Sequence, residues 1–392
     1  MTGRRDFLRG ALVTGATGLI AAGTSGAAAP ATPAAAAVTP PYHGLHQPGV
    51  TQEPRRHTVV TAFDVIAESR AELTDLMRAL TDRARILTAG GPPREDGISG
   101  PPADSGVLGP EPPVRAGPLV TVGVGASLFD DRYGLASRRP SGLRHMEAFP
   151  NDTLDPDWCH GDLSVQLSAD DEDTVLHALR DLARHTRGAM QVRWRLNGFA
   201  SPPRPSGTPR NLMGFKDGTA NPTAAEYDRL VWLPGGGTYV VYRLIRMLVE
   251  FWDRIGITEQ EQIIGRARDT GAPLDGTRET DTPKFALDPV GKLIPLTSHI
   301  RRANPRTAQT DGSRILRRSF NYDRGQDPAG NLDMGLLFSC FQKDIRAQFE
   351  AVQHRLEDEP LVDYVTPFGG GYFLVLPGVR DATDHLGRAL LS

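Results

Sequence analysis

The elements legible in this 392-residue chain run β-α-β-β-α-β and then repeat that order, which predicts an α+β protein of two ferredoxin-like halves with adjoining antiparallel sheets. Three observations carry the prediction. Short β-branched stretches alternate in polarity, stretches of helical spacing fall at matching places in each half, and Gly/Pro-rich loops separate them. At roughly 100–200 residues per domain, the length also fits two units.

In the first half, residues 57–66 (HTVVTAFDVI) alternate as a strand. Residues 69–87 carry Leu73, Leu76, Met77 and Leu80 at helical spacing behind a capping Ser69. Residues 90–118 form a loop, 119–126 and 162–168 two strands, 171–187 a helix with Val175, Leu176, Leu179 and Leu182 on one face, and 190–198 (MQVRWRLNG) a fourth strand. The second half repeats the order: strand 238–249, helix 259–268, strands 314–322 and 332–342, helix 344–357 and strand 371–376. It differs by a long insertion, residues 269–313; a loop of that length in a compact domain usually carries function. The domains are therefore expected at 57–210 and 211–392.

Residues 1–37 read as an export signal. Gly3-Arg4-Arg5-Asp6-Phe7-Leu8-Arg9 precede a short apolar stretch and an Ala-rich tract. The apolar stretch is shorter than the roughly 20 residues a spanning helix needs, and the paired arginines resemble a twin-arginine signal. Residues 38–56, rich in Pro, His and Gln, read as a solvated linker or extended arm, with His43 and His46 in it. A net charge of −3 has no basic excess to suggest nucleic acid. Two cysteines, Cys159 and Cys340, exclude a disulfide framework and match no metal-ligand spacing. They read as inert thiols, with a single bridge the alternative in an exported protein.

Chemistry concentrates between and after the halves. Residues 211–222 (NLMGFKDGTANP) set two glycines around a charged pair before a proline. Such a loop brings backbone close to something flat or bulky and presents a carboxylate to it; a tight surface turn is the plainer alternative. His299 lies in the insertion among apolar neighbours. Eighteen residues later stands Arg317, beside Arg318 in a strand, so the two must point to opposite faces. A buried guanidinium needs an anionic partner or a ligand. The Gly-rich residues 122–127 (VGVGAS) lack the third glycine and the helix of a dinucleotide site.

Gly214-x-x-Asp217-Gly218, followed by His299 and Arg317 in that order, resembles the signature of the dye-decolourising haem peroxidases, and most closely their exported, deferrochelatase-like subgroup. The resemblance implies one haem b per chain, held in the C-terminal half, with His299 as the axial ligand of its iron. It implies Asp217 and Arg317 as the distal acid/base and charge-stabilising groups, and hydrogen peroxide and a small-molecule electron donor as partners. Gly218, Thr219 and Ala220, and Asn304, Pro305 and Arg306, with Arg317, are the implied cofactor contacts. Asp363 is the implied carboxylate behind the histidine, with Glu359 the fallback. Tyr364, Tyr322 and Trp232 are candidates for oxidising bulky donors at the surface, weighed against plain packing. The signal implies the twin-arginine translocase during export and an extracytoplasmic location, and open sheet edges in such halves make a homodimer an expectation. A haem-handling, iron-acquiring protein is the alternative from another class; the presence of both Asp217 and Arg317 favours the peroxidase, because mere binding requires neither.

Overall fold

The computed structural model describes residues 41–90, 102–109 and 117–392. The expected leader lies outside the described residues. In the N-terminal half, β1 (His57–Val65), β2 (Leu119–Gly125), β3 (Leu163–Ala169) and β4 (Met190–Phe199) pair in the order β4-β1-β3-β2, all antiparallel. Helices α1 (Arg70–Ala89) and α2 (Glu172–His185) cross between them. Ser69 caps α1 by accepting from the amide of Glu72 at 3.2 Å. Leu73, Leu76, Met77, Leu80 and Ala84 then bury one stripe of that helix, as 3.6-residue spacing requires.

The C-terminal half contains α3 (Tyr227–Leu230), β5 (Thr238–Met247), α4 (Val249–Trp252), α5 (Ile257–Ile264), α6 (His299–Ala303), β6 (Leu316–Arg317), β7 (Phe320–Gln326), β8 (Leu332–Gln342), α7 (Ala351–Leu356) and β9 (Val365–Val375). Its strands run β9-β5-β8, with β6 and β7 both along the far side of β8. The two sheets meet twice. Residues 123–125 of β2 pair with 373–375 of β9, and Phe199 of β4 pairs with Asn321 of β7. The strands therefore close into one ring, although β4 (Met190–Phe199) joins β7 at a single residue pair, so that most of its outer edge has no strand partner among the described residues. Side chains from both halves, Val60, Trp194, Tyr242, Tyr322, Phe341 and Phe373 among them, form a single buried cluster.

Several boundaries differ from the expected ones for local reasons. The expected strand 314–322 is broken at Arg318-Ser319, so that β6 and β7 follow β8 in two pieces. The expected helix 344–357 begins as a six-residue π-helix, Ile345–Glu350, before α7; such wide turns occur mostly near functional sites. Helix 259–268 ends at Ile264, because Gly265 takes φ +91°. A Cβ on Gly265 would stand 2.7 Å from Ile300, so the glycine also lets α5 approach α6. The last strand begins at Val365 rather than at residue 371. Nor are residues 41–56 a solvated linker. The Gln47 side chain is buried, donating to the carbonyls of Val122 and Leu376 and accepting from the Val122 amide, and His46 stacks on Trp232 with ring centroids 3.6 Å apart. Cys159 and Cys340 are buried and unbridged, which removes the alternative of a disulfide between them.

Candidate active site

The loop carrying Asp217 is fixed from inside and outside. The Asn211 side chain accepts from the amides of Met213 and Phe215 at 3.1 and 3.2 Å, and the Asp217 amide donates to the Pro209 carbonyl at 3.0 Å. Gly218 takes φ +100°, where an L side chain is strained although there is room for one. Lys216 turns away from Asp217 and pairs with Glu279 of the insertion at 2.7 Å. Asp217 faces Arg317 instead, with Nη1 and Oδ1 2.8 Å apart. Arg317 is held by its strand and by Asn221, whose side chain accepts from the Arg317 amide at 2.9 Å and donates to its carbonyl at 3.0 Å. Arg318 points elsewhere and donates to the Thr51 carbonyl, as the alternation of strand side chains demands.

His299 opens α6 after the buried Ser298. Arg301 holds the front of this helix through the carbonyls of Ile294 and Asp288, at 2.8 and 2.7 Å. Arg355 of α7 donates to the carbonyls of Arg302 and Ala303 at its end, both at 3.0 Å, as a cation at a helix C-terminus should. The imidazole Nδ1 lies 3.0 and 2.9 Å from the two oxygens of Glu359. Asp363 is therefore not the carboxylate behind the histidine. It sits on the 3-10 turn Pro360–Tyr364 and faces solvent, whereas Glu359, just before that turn, is 5% exposed. Burial depresses the His299 pKa, but the charge and hydrogen bond of Glu359 outweigh burial and raise it above the ordinary histidine value.

His299, Asp217 and Arg317 line one cavity, with about 270 Å³ open to the centres of water molecules. Both charges of the distal pair are felt at the imidazole. Met213, Phe215, Leu336, Phe338, Phe349 and Leu361 supply apolar wall. Of the expected contacts, Thr219, Ala220, Asn304 and Arg306 join the lining; Gly218 and Pro305 belong to the same two segments but are not part of it. Arg306 is exposed and takes φ +57°, a conformation that costs a non-glycine residue energy and tends to mark functional sites.

Arg266, Arg314, Asn221 and Glu279 were not singled out by sequence reasoning; of these only Asn221 stood in the quoted motif. Arg266 is buried in the cavity wall and, among the described residues, its side chain donates only to the carbonyls of Gly271 and Glu279. Burial, followed by the charges of Arg306 and Arg317, pushes its pKa down to about 10. Among the described residues neither Arg266 nor Arg306 has an ion pair.

The lining fits a haem on three counts. It is apolar and open enough for a flat macrocycle, it offers a histidine whose second nitrogen is held by a carboxylate, and it leaves two arginines for carboxylates of a ligand. Among the described residues no three His, Cys, Asp or Glu gather to hold a bare ion. His299 therefore suits a metal that brings its other ligands with it.

Such a site defines a protein that binds a planar metal cofactor on one histidine and performs proton-coupled chemistry beside it. Residues 47–200 match the family described as Dyp-type peroxidase, N-terminal, and residues 208–380 that described as Dyp-type peroxidase, C-terminal. The chain belongs to the Dyp-type peroxidase family. A deferrochelatase of Escherichia coli O6:K15:H31 is 46% identical over 377 residues, covering 90% of this chain and 87% of that one. Among solved structures, the X-ray generated oxyferrous complex of DtpA from Streptomyces lividans aligns with TM-score 0.81 and 35% identity, covering 91% of this chain and 98% of that one. A DyP-type peroxidase from Cellulomonas bogoriensis aligns with TM-score 0.81 and 38% identity at the same coverage.

Proposed function

We propose that this haem-dependent peroxidase reduces hydrogen peroxide in the cavity of His299, Asp217 and Arg317 and oxidises dyes, phenolics or other small donors. The observation that carries the assignment of residues is the meeting, in one cavity, of a carboxylate-backed histidine with an Asp–Arg pair. Haem iron, when bound, supplies the electrons that reduce peroxide and later takes them back from the donor. His299 would hold that iron through Nε2, with Glu359 fixing the ring and increasing its basicity. Asp217 would accept a proton from one oxygen of bound hydrogen peroxide and deliver it to the other, which would then leave as water. Arg317 would stabilise negative charge on the departing oxygen. Arg266 and Arg306, without carboxylate partners of their own, would receive the propionates.

The test is an absorption spectrum of the purified protein before and after one equivalent of hydrogen peroxide. A Soret band that responds in the wild type but not in Asp217→Ala or Arg317→Ala supports the assignment. A band that ignores peroxide in the wild type overturns it. The second reading, haem handling for iron acquisition, draws on the relatives named deferrochelatase. Growth of metal-free porphyrin fluorescence on incubation with haem would favour it.

The leader Gly3-Arg4-Arg5-Asp6-Phe7-Leu8 supports export through the twin-arginine translocase and work outside the cytoplasm. Conversion of Arg4 and Arg5 to Lys should retain the protein inside the cell. The largely unpaired outer edge of β4 supports the expected homodimer; solution mass decides the assembly.

A further inference from the structure

We infer that Glu279, in the long insertion, is a positioning residue for Asp217, so that the insertion supplies the outer half of the peroxide-handling site. This rests on the assignment of Asp217 above. Glu279 touches the Asp217 loop on both sides of the aspartate. One carboxylate oxygen, Oε2, accepts from Lys216 Nζ at 2.7 Å. The other, Oε1, accepts from Thr219 Oγ1 at 3.2 Å, from Thr208 Oγ1 at 2.6 Å and from the Thr208 amide at 3.1 Å. Three points of the segment that carries Asp217 thus converge on one side chain sixty residues away in sequence.

The contacts are sheltered: the Lys216 and Glu279 side chains are 3% and 13% exposed. Burial works against the Glu279 charge, but Lys216 and Thr208 outweigh it and hold the carboxyl at about 2, so the anion persists across the working range. The backbone of the same residue serves the cavity too, since its carbonyl accepts from Arg266 Nη1 at 2.9 Å. Lys216 Nζ also donates to the Ser206 carbonyl. Lys216 is thereby held away from Asp217, whose carboxylate, among the described residues, pairs with Arg317. With no such anchor, the lysine next to the aspartate would be free to compete for the carboxylate. The loop is also held at its start by Asn211, Trp252 and Arg210 and at its end by Asn221 against Arg317, but the stretch on either side of Asp217 would lose its outer support. A proton-transfer group must sit within hydrogen-bond reach of its target, and a misplacement of about 1 Å can cost on the order of 100-fold in rate.

The experiment is stopped-flow reaction of the haem-loaded variants with hydrogen peroxide, alongside the rate of donor oxidation, haem content, and hydrogen–deuterium exchange of residues 208–221. Glu279→Ala is expected to slow the peroxide step by about 10- to 100-fold, leave the donor step and haem content unchanged, and speed exchange in that segment. Glu279→Gln can keep the Thr208 and Thr219 contacts at Oε1 but turns its amide NH2, a donor, on the Lys216 ammonium and so releases the lysine; it should slow the peroxide step by less than Glu279→Ala does, about 3- to 10-fold. Lys216→Met tests the other end of the pair and should slow the peroxide step in its turn. Asp181→Asn, at a buried ion pair in α2, is the control for loss of stability alone. If Glu279→Ala will not fold, Glu279→Gln and Lys216→Met carry the test. Wild-type peroxide rates in the Glu279 variants beside a crippled Asp217→Ala overturn the inference. Wild-type rates in Asp217→Ala itself overturn the assignment of Asp217 instead. A fall in both steps together with haem content, matching Asp181→Asn, reduces Glu279 to a structural residue and also overturns the inference.

Discussion

Replacing Glu359 should loosen the haem, and replacing Asp363 should not. Both Glu359 oxygens stand 2.9–3.0 Å from His299 Nδ1, and the side chain is 6% exposed. Removing an ionic hydrogen-bond acceptor costs about 1.5–3 kcal/mol. Loss of the group behind a ligating histidine typically weakens metal binding 10- to 100-fold, which is about 1.4–2.7 kcal/mol at 25 °C. The two routes agree, so Glu359→Ala should raise the dissociation constant for haem by roughly 10- to 100-fold. Glu359→Gln keeps an acceptor without its charge. Neutral hydrogen bonds are roughly half as strong as ionic ones, so its loss should be about 3- to 10-fold. Asp363 is exposed, and Asp363→Ala should bind as the wild type does. The assay is titration of the haem-free protein with haem, followed at the Soret band. Equal weakening in the Glu359 and Asp363 variants, or none in Glu359→Ala, would refute the reasoning.

Arg317→Leu should slow the peroxide step by about 100- to 1,000-fold, and Asp217→Asn by about 100- to 10,000-fold, with haem retained in both; loss of haem instead would point to a binding role. Arg243 and Asp152 form an ion pair whose side chains are 1% and 2% exposed. Asp152→Ala strands the guanidinium and should cost about 3–5 kcal/mol in urea unfolding; a cost under 1 kcal/mol would mean that water reaches the pair. Burial, then the charges of His145 and Arg193, lower the His160 pKa to about 4. In the unfolded chain the ring takes its proton near 6.5, so the unfolded state binds more protons between the two values. The contribution of His160 to stability is intact above about pH 6.5 and is lost as pH falls toward 4. His160→Asn tolerates the positive φ at that position and should flatten this stretch of the stability–pH curve, measured as urea midpoints; an unchanged slope would exonerate His160.

The framework was legible because its signals are local. Strand 57–65 is rich in β-branched residues and 332–342 in apolar ones, and the stripe of α1 can be read from Leu73 to Leu80. The site was half legible. Asp217, His299 and Arg317 stood out by residue type and order, and the structure brings them to one cavity. Glu359 and Asp363 are only four residues apart, and only the conformation of residues 360–364 decides which faces the imidazole. Glu279 could not be found from periodicity, since the insertion has none and its side-chain partners lie in another segment; Arg266 stood in the expected helix 259–268, and only the end of α5 at Ile264 turns it into the cavity wall. Nothing in the composition of residues 41–56 announces that Gln47 will be buried against β2 and β9; its three hydrogen bonds exist only once those strands are in place. The surface-oxidation candidates likewise read as packing: Tyr322, Tyr364 and Trp232 are all buried.

Because β9 is the strand between β5 and β2, the chain cannot complete its ring until Val365–Val375 have been synthesised. A ribosome-bound chain that ends before residue 365 exposes unpaired backbone on β5 and β2 together, an arrangement that invites pairing with other chains. Val365 and Pro367 of β9 also line the cavity, so a nascent chain has no finished pocket to receive its cofactor. The ring and the pocket are therefore completed only once β9 is available, and pairings this distant along the chain make folding slow. Shortening the protein from its C-terminus should abolish the fold of both halves at once, whereas an equal cut from the first forty residues leaves every described strand intact.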